Sequence, residues 1–323
     1  MNIFPLSFLP ANPRIDFMRM RWISMTVAVL LLVVAIGAIA FKGFNLALDF
    51  TGGTAVTLRF EQPVDVQQVR ERIDASGVRN AQVQGFGNGT DVLVRIRAEE
   101  GDEQRTVGEA NEQVQQIRAA ASTADNPATL QRSESIGSQV SGELTTKAAQ
   151  AVLFVLIGFL IYISLRFEWK FAVVASLTTF FDVAVVAGFF ALTGREFDLA
   201  VLAGLLGVMG FSINDTIVIF DRVRENFRGM RASPREILNV SINQTLSRTI
   251  ITSVVFFLSV LALYIYGGDS LEGLALTQML GAIFGTLSSI FVACVMLTMG
   301  PLTVTKQDLM PKARDEAELA RRP

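Results

Sequence analysis

Three ionisable residues stand within or beside long apolar stretches of the sequence. Asp182 and Asp215 each interrupt such a stretch, and Arg248 directly precedes another. A charged side chain at the centre of a bilayer costs about 2.5–3.5 kcal/mol on insertion scales, so ionisable residues at such positions usually serve a function. Burial favours the neutral form of a carboxyl group, and a carboxylate at this depth can therefore take up and release a proton. The pattern predicts a proton pathway through Asp215 and Arg248, with Asp182 extending it.

The composition excludes most other chemistry. The chain has no histidine and a single cysteine, Cys294, within an apolar stretch. Ser-His-Asp and Cys-His catalysis, histidine-ligated metals and an internal disulfide are thereby excluded. The sequence shows no nucleotide-binding loop, and its formal net charge of −2 gives no signature of nucleic-acid binding. We therefore expect no enzyme activity, no metal and no cofactor, with protons as the coupling ion.

Six stretches are apolar and long enough to cross a bilayer, which takes about 20 residues per helix. The predicted spans are Trp22–Phe41, Ala148–Leu165, Phe171–Thr193, Leu199–Phe220, Thr249–Tyr266 and Leu274–Met299. Because 51% of the residues are hydrophobic, we predict an α-helical polytopic membrane protein with six transmembrane helices: one at 22–41 and five within 148–299.

The placement of Lys and Arg orients these spans, because cytoplasmic loops carry an excess of basic residues. Basic residues cluster in the N-terminal tail (1–21), after the second and fourth spans, and in the C-terminal tail (300–323). Arg195 is the only basic residue between the third and fourth spans, and the last short loop has none. We predict a multi-pass protein of the bacterial inner membrane, with both termini cytoplasmic and residues 42–147 periplasmic.

The predicted periplasmic segment is polar enough to fold in water. Its pattern predicts a βαββαβ order and a small ferredoxin-like α/β fold. Gly87-Asn88-Gly89 between the second and third strands is typical of a hairpin turn. The predicted elements are Leu48–Phe60, Val64–Ala75, Ala81–Phe86, Val92–Ile96, Glu103–Ala121 and Thr129–Ile136.

Packing of the fourth and fifth spans as antiparallel neighbours would bring Asp215 and Arg248 to similar depth. A proton arriving on Asp215 would then weaken an ion pair and change the helix packing. Neutral hydrogen-bonding groups stand nearby at Asn214 and Thr216. Two alternatives stay open: Arg248 can be a snorkelling anchor at the membrane surface, and either aspartate can form a purely structural hydrogen bond between helices.

Several glycines suggest close contact or a change of direction. Gly204, Gly207 and Gly210 in the fourth span, and Gly281 and Gly285 in the sixth, would let helices approach closely, whether as static packing or as sliding surfaces. After the first span comes a junction whose glycines permit unusual backbone angles. We interpret it either as a tight turn into the first strand or as a coupling junction, formed by Asp49, Thr51, Gly52 and Gly53.

The segment between the fourth and fifth spans contains Ser233-Pro234, typical of a helix start. The pattern predicts a short separate helix through Ile237, Leu238 and Ile242, lying against the membrane before the fifth span.

Three motifs in this sequence resemble the SecF family. One follows the first span (Asp49-Phe50-Thr51-Gly52-Gly53-Thr54) and one precedes and enters the fifth (Gln244-Thr245-Leu246-Ser247-Arg248-Thr249-Ile250-Ile251-Thr252-Ser253). The longest runs through the fourth span as Gly210-Phe211-Ser212-Ile213-Asn214-Asp215-Thr216-Ile217-Val218-Ile219-Phe220-Asp221-Arg222-Val223-Arg224-Glu225-Asn226. The six-span layout matches as well, so the resemblance covers nearly the whole chain.

This resemblance implies a function in protein export. SecF-like proteins pair with a SecD-like subunit to make a twelve-span unit similar to RND transporters, of which this chain would be one half. That unit works with the SecYEG channel and uses the proton-motive force to complete the export of unfolded preproteins. The resemblance implicates Asp215 and Arg248 in proton flow, and Asp182 matches a recurring acid of the third span. Some relatives carry a histidine where this chain has Phe181, so a relay through that histidine is excluded here.

Two other functions fit the same layout. An RND-like half-transporter for small molecules or lipids would need an apolar substrate cavity. A non-catalytic assembly scaffold for the translocon would tolerate neutral substitutions at Asp215 and Arg248, but not changes on the glycine faces.

Overall fold

The computed structural model describes residues 15–78, 81–86, 89–96, 107–305 and 308. Most of both predicted tails, the Gly87-Asn88 part of the predicted hairpin turn and residues 103–106 of the predicted second helix lie outside these residues. The chain divides into two units. Residues to Asn45 and from Val152 form a helical unit, and Leu46–Ala151 form the other.

Within the described residues, the elements follow one another closely along the chain. A 3₁₀ turn at Met18–Met20 precedes the first helix, and a second one at Gly300–Leu302 follows the last. In order they are α1 (Arg21–Lys42), β1 (Asn45–Leu46), α2 (Leu48–Thr51), β2 (Gly53–Phe60), α3 (Val66–Ala75), β3 (Ala81–Phe86), β4 (Asp91–Ile96), α4 (Val107–Ala121), β5 (Ala128–Ile136), α5 (Ser138–Arg166), α6 (Trp169–Thr193), β6 (Glu196–Phe197), α7 (Leu199–Gly229), α8 (Pro234–Tyr266), α9 (Asp269–Ser288), a π-helical turn (Ser289–Ala293) and α10 (Cys294–Met296).

Within the described residues, six helices are long and apolar enough to cross a membrane. They contain five of the predicted spans entirely and the sixth except for its last three residues, so the prediction of a polytopic α-helical membrane protein is confirmed. Three of them run well beyond the predicted apolar segments, and the longest extension is that of α8, which begins at Pro234. Helix α7 continues past Phe220 to Gly229, and α5 already begins at Ser138.

The prediction of a short separate helix before the fifth span is wrong. Ile237, Leu238 and Ile242 lie in the first third of α8, which is continuous from Pro234 to Tyr266. Ser233 caps this helix, since its hydroxyl accepts a hydrogen bond from Glu236 N at 3.4 Å. The segment from Ile242 to Thr249 contains neither glycine nor proline, so no residue interrupts the backbone hydrogen bonds before the membrane span begins.

Helices α6, α7 and α9 bury the largest share of their apolar windows, whereas α1, α5 and α8 leave most of theirs exposed. Near one end of the unit, the ring of Phe220 packs edge-on against Phe167 and Phe171, with centroids 5.8 and 5.0 Å away. These rings belong to a core that also includes Phe17 and Ile242. Buried apolar area of this kind fixes the positions of the helices that carry the polar site.

The second unit has the predicted βαββαβ order from β2 to β5. Its four strands pair antiparallel in the order β3-β4-β2-β5. Alternate residues of β2, among them Val56 and Leu58, are fully buried with Val69 and Ile73 of α3 and Ile117 of α4. The small α/β fold is therefore confirmed.

One strand boundary was predicted wrongly. Residues Leu48–Thr51 form the short helix α2 rather than the start of a strand, and β2 begins only at Gly53. The backbone reverses between them, because Gly52 and Gly53 both have positive φ angles (64° and 116°) that side chains disfavour.

Candidate ion-coupling site

Asp215 lies on the buried face of α7, with 2% of its surface exposed. Its carboxylate Oδ2 accepts a hydrogen bond from Ser253 Oγ of α8 at 3.3 Å. Ser253 Oγ in turn lies 2.6 Å from Thr286 Oγ1 of α9, which donates to it. A carboxylate and two hydroxyl groups thus form a chain across three helices, within an otherwise apolar span.

This chain can hydrogen-bond Asp215 in either protonation state. Ser253 Oγ lies within reach of a second acceptor, the carbonyl oxygen of Thr249 at 2.8 Å. A hydroxyl has one proton and rotates to suit its neighbours. It can donate to the ionised carboxylate, or it can donate to Thr249 O while it accepts from the neutral acid. Rotation of the Ser253 hydroxyl would therefore accompany proton binding and change the hydrogen bonds that join α7, α8 and α9.

Asp182 lies in a separate cluster of polar groups between α6, α7 and α9, and it is fully buried. Its Oδ2 accepts hydrogen bonds from Ser212 Oγ of α7 and from Ser288 Oγ of α9, the latter at 2.9 Å. Ser288 Oγ also lies 3.1 Å from Gly285 O, so this hydroxyl too has a second acceptor. The buried Oδ1 of Asp182 has no hydrogen-bond partner among the described residues.

One short segment of α9, Gly285–Ser288, contacts both carboxylate clusters. Thr286 points towards Ser253, and Ser288 points towards Asp182. The π-helical turn Ser289–Ala293 follows at once. Such turns insert one extra residue into a helix and are frequent at functional sites. Residues within one turn of the same helix thus contact the two clusters.

The expected ion pair between Asp215 and Arg248 is not formed. Among the described residues, no salt bridge within 4.0 Å joins them, and the Arg248 side chain is exposed. The reason is the helical repeat of 3.6 residues. Ser253 and Thr249 occupy the face of α8 that meets Asp215, whereas Arg248, five positions before Ser253, points well away from it.

The neutral neighbours also divide between two faces. Thr216 is fully buried and donates to Ser212 O at 3.2 Å, while Asn214 is exposed. Asn214 and Arg248 therefore lie on exposed faces of adjacent helices, α7 and α8. Further along these helices, Asn226 Nδ2 donates to Gln244 Oε1 at 2.9 Å and to Ser241 Oγ at 2.8 Å, which joins the two.

Four of the five predicted packing glycines lie where α7 meets α9. A Cβ atom at Gly204 would come within 2.7 Å of Thr277 Cβ, and one at Gly285 within 3.3 Å of Ser212 Cβ. A Cβ at Gly207 would overlap Gln278, and one at Gly281 would overlap Val208. Gly210 is not part of this contact: its Cβ position is open among the described residues, and the residue is exposed. Gly210 shares the exposed face of α7 with Asn214.

At the predicted junction, Asp49 and Thr51 form part of α2, and Thr51 Oγ1 donates to Ala47 O at 3.2 Å. Gly52 needs to be glycine for two reasons. Its φ angle is 64°, and a Cβ there would lie 3.1 Å from Ser141 Oγ and 3.3 Å from Ser138 Cα. The turn into the first strand is therefore also packed against the start of α5.

Sequence reasoning singled out the aspartates but not the hydroxyl residues that surround them. Ser212, Ser253, Thr286 and Ser288 supply the contacts to Asp182 and Asp215. A signal was present, since all four are polar residues within apolar spans. Serine and threonine also bond their own helix backbone, so that signal alone did not distinguish them.

Comparison with known families gives two matches that cover most of the chain. The family model for the protein export membrane protein SecD/SecF, C-terminal, matches residues 116–300. The SecD/SecF GG motif matches residues 37–64, which include the Gly52-Gly53 turn.

Three relatives that match over nearly their whole length are all named protein translocase subunit SecF. Protein translocase subunit SecF of Pseudomonas aeruginosa is 44% identical over 306 residues, covering 94% of this chain and 97% of the relative. The proteins of that name from Vibrio alginolyticus and Escherichia coli O157:H7 are 39% and 37% identical over 304 and 311 residues, covering 94% and 95% of this chain and 94% of each relative.

Two solved structures also resemble this chain. The crystal structure of SecDF from Thermus thermophilus, described as a translocon-associated membrane protein, superposes with a TM-score of 0.77 at 36% identity. SecDF in a super-membrane-facing form gives 0.62 at 34% identity. The matches cover 90% and 91% of this chain but only 39% and 40% of those SecDF chains. With its buried carboxylates, double-glycine turn and six apolar helices, the chain belongs to the SecD/SecF family of protein export membrane proteins.

Proposed function

We propose that the chain couples the proton-motive force to protein export, as one half of a unit completed by a SecD-like subunit. Proton binding at Asp215 would bias the packing of α7, α8 and α9, and this bias would drive movement of the βαββαβ unit. One proton moving down a potential supplies about 2.3 kcal/mol per 100 mV, enough to shift an equilibrium between two packings. The substrates would be unfolded preproteins leaving a SecYEG channel.

The observation that carries this proposal is the contact chain Asp215–Ser253–Thr286. A structural carboxylate in a membrane span is commonly neutralised by a cationic partner, because an unpaired buried charge is costly. Asp215 is instead surrounded by hydroxyl groups that suit both of its protonation states. Asp182 has the same kind of environment, which supports its inclusion in the proton pathway.

The exposed faces of α7 and α8 support a SecD-like partner. Gly210, Asn214 and Arg248 are polar or small residues at the surface of apolar helices. A lipid environment suits them poorly, whereas a neighbouring helix bundle could pair with their polar groups and approach the glycine closely. Arg248 would then contribute to proton flow through a group of the partner rather than through a direct ion pair with Asp215.

The charge pattern supports a proposed placement in the membrane. Arg222, Arg224 and Arg228 lie on the part of α7 beyond Phe220, the side assigned to the cytoplasm by the excess of basic residues. We propose that the protein lies in the inner membrane with both termini cytoplasmic and the βαββαβ unit in the periplasm. The names of the relatives favour protein export over transport of small molecules or lipids, and the buried carboxylates favour an active role over a passive scaffold.

Export into proton-tight vesicles that contain the chain, a SecD-like subunit and SecYEG would test the proposal. Wild type should export a preprotein several-fold faster with a pH gradient than without one. Asp215→Asn should abolish this gain while leaving the complex assembled, and Arg248→Met should reduce it. Asp125→Asn serves as the matched control, since Asp125 is exposed and lies outside the candidate spans. Full gradient dependence in Asp215→Asn vesicles, at equal protein levels, would rule out the proton role.

A further inference from the structure

The segment that leads into α1 is held against α8 by two asparagines, Asn239 and Asn243. Asn243 binds both backbone groups of Ile15: its Oδ1 accepts from Ile15 N at 3.0 Å, and its Nδ2 donates to Ile15 O at 2.8 Å. Asn239 Oδ1 accepts from Phe17 N at 2.8 Å. Asn239 Nδ2 donates to Asp16 Oδ1 at 3.0 Å.

The spacing of these contacts suits an extended chain lying along a helix. Residues two apart in an extended segment are about 6.6 Å from each other, and residues four apart on a helix rise about 6 Å along its axis. Ile15 and Phe17 therefore match Asn243 and Asn239. Three of the four hydrogen bonds involve backbone groups of residues 15–17, so the asparagines fix the backbone path of this segment. We call this arrangement the asparagine clamp.

Two further features keep the segment in place. Asp16 Oδ1 also accepts from Arg19 N at 3.1 Å and so orders the 3₁₀ turn that precedes α1. The side chains of Phe17 and Met18 are buried, and the Phe17 ring packs edge-on against Phe291 in the π-helical turn, with centroids 5.6 Å apart. The segment is thus anchored to α8 through its polar groups and to the π-helical turn after α9 through the Phe17 ring.

The clamp connects the ion-coupling site with the helix that leads to the βαββαβ unit. Helix α8 carries Ser253, the hydrogen-bond partner of Asp215. Helix α1 begins at Arg21, directly after the clamped segment, and the chain that leaves it enters the Gly52-Gly53 turn. We propose that the asparagine clamp makes the start of α1 follow the movement of α8, so that a displacement driven at Asp215 reaches α1. This role rests on the proposed function.

The contact between Asn239 and Asp16 allows a charge exchange as a test. Asn239→Asp places a second carboxylate against Asp16, removes the donor and should open the clamp. The double variant Asp16→Asn/Asn239→Asp restores one amide and one carboxylate at the same place. The acceptors for Phe17 N and Arg19 N are kept in both variants.

The two readouts are hydrogen exchange of the peptide 15–20 and gradient-driven export by the assembled complex. Asn239→Asp should raise the exchange rate at least about tenfold and lower the gradient-dependent part of export at least about threefold, while proton uptake and gradient-independent export stay unchanged. The double variant should restore both readouts to within about twofold of wild type. Asn243→Asp loses the hydrogen bonds that Nδ2 donates to Ile15 O and to Asn239 O, but it keeps the acceptor for Ile15 N. This variant should give intermediate values and serves if Asn239→Asp does not assemble.

Faster exchange with unchanged gradient-driven export would overturn the transmission role and leave the proposed function standing. Restored exchange in the double variant without restored export would overturn it as well. If wild-type vesicles show no gradient dependence, the proposed function falls, and the transmission role falls with it.

Discussion

Ser253 on α8 donates a hydrogen bond to Asp215 on α7, at 3.3 Å. This contact replaces the ion pair with Arg248 that the sequence suggests. A hydroxyl partner differs from a guanidinium in a way that matters for ion coupling. An arginine favours only the ionised carboxylate, whereas a serine can donate to the ionised form and accept from the neutral one. Asp215 is therefore placed to change its protonation state with little cost in lost hydrogen bonds.

Replacement of Ser253 tests this relationship directly. Ser253→Ala removes the donor to Asp215 and leaves Thr286 without its contact across the helices. Loss of a hydrogen bond to a charged group costs about 1.5–3 kcal/mol. Ionisation of Asp215 therefore becomes less favourable in this variant. We expect gradient-driven export to fall at least about tenfold in proton-tight vesicles. Ser259→Ala is the control: Ser259 is exposed on the same helix and bonds only to Val255 O, among described partners.

Substitutions of Asp182 separate a proton-carrying role from a structural one. Asp182→Asn keeps the shape and an acceptor for Ser212 and Ser288, and Asp182→Leu removes the polar group. Leucine should lower the free energy of unfolding by about 1–3 kcal/mol, because it leaves Ser212 without its partner. The Asp182→Asn variant should have a melting temperature in detergent close to that of wild type. It should nevertheless lower the gradient-driven part of export. Wild-type export by Asp182→Asn would assign Asp182 a structural role alone.

Much of the fold could be predicted from local patterns. Apolar runs gave the six spans, and the alternation of strands and helices gave the βαββαβ order of the second unit. These patterns succeed because a bilayer requires helices of a fixed length and because a two-layer α/β unit buries alternate strand residues. The boundaries failed where helices extend beyond the membrane, as α7 does through Gly229 and α8 does from Pro234.

The site could be predicted only in part, because contacts between helices depend on their rotation. The two aspartates are conspicuous in any apolar span, but their partners are ordinary serines and a threonine. Arg248 was expected to pair with Asp215, a contact that its helix face does not make, since a difference of one or two positions rotates a side chain by about 100–200°. The rotation of α7, which carries Asp215, is set by its packing against α9 around Gly204 and Gly285.

The glycines of α7 provide a matched pair for testing this packing. Gly204→Ala places a Cβ 2.7 Å from Thr277 Cβ, so α7 and α9 must move apart. Overpacking of this kind typically costs about 1–3 kcal/mol. We expect a clear drop in the melting temperature of the detergent-solubilised protein. Gly210→Ala, with an open Cβ position on the same helix, should melt like wild type. Equal stability of the two variants would contradict the close contact between α7 and α9.

A pH-dependent contact lies outside the membrane-spanning segments, at Asp308. Burial acts to raise the pKa of Asp308, but hydrogen bonds from Lys170 and Thr305 outweigh it, and the net pKa is lowered. A carboxylate with a lowered folded-state pKa stabilises the structure above its unfolded-state pKa, and this contribution is lost as the pH falls through the folded-state value. Attachment of Thr303–Thr305 should therefore persist at neutral pH and weaken below about pH 4.

Hydrogen exchange of the peptide 300–305 would measure this attachment as a function of pH. After correction for the intrinsic rate, protection should be constant from neutral pH to about pH 4 and fall as the pH drops further. Asp308→Asn should remove the pH dependence and give low protection throughout. A protection profile that stays flat to pH 3 in wild type would show that the contacts of Asp308 with Lys170 and Thr305 do not hold this segment.

The turn into the second unit offers a test in which backbone strain and side-chain crowding can be separated. Gly52 and Gly77 both have positive φ angles, 64° and 89°, so alanine at either position has a backbone cost of about 1–3 kcal/mol. Only at Gly52 does the new Cβ also meet other atoms, Ser141 Oγ at 3.1 Å and Ser138 Cα at 3.3 Å. Gly52→Ala should therefore destabilise the protein more than Gly77→Ala, as measured by thermal unfolding. If crowding by the serine hydroxyl is the cause, adding Ser141→Ala should recover part of the difference at Gly52, because it removes the nearest atom.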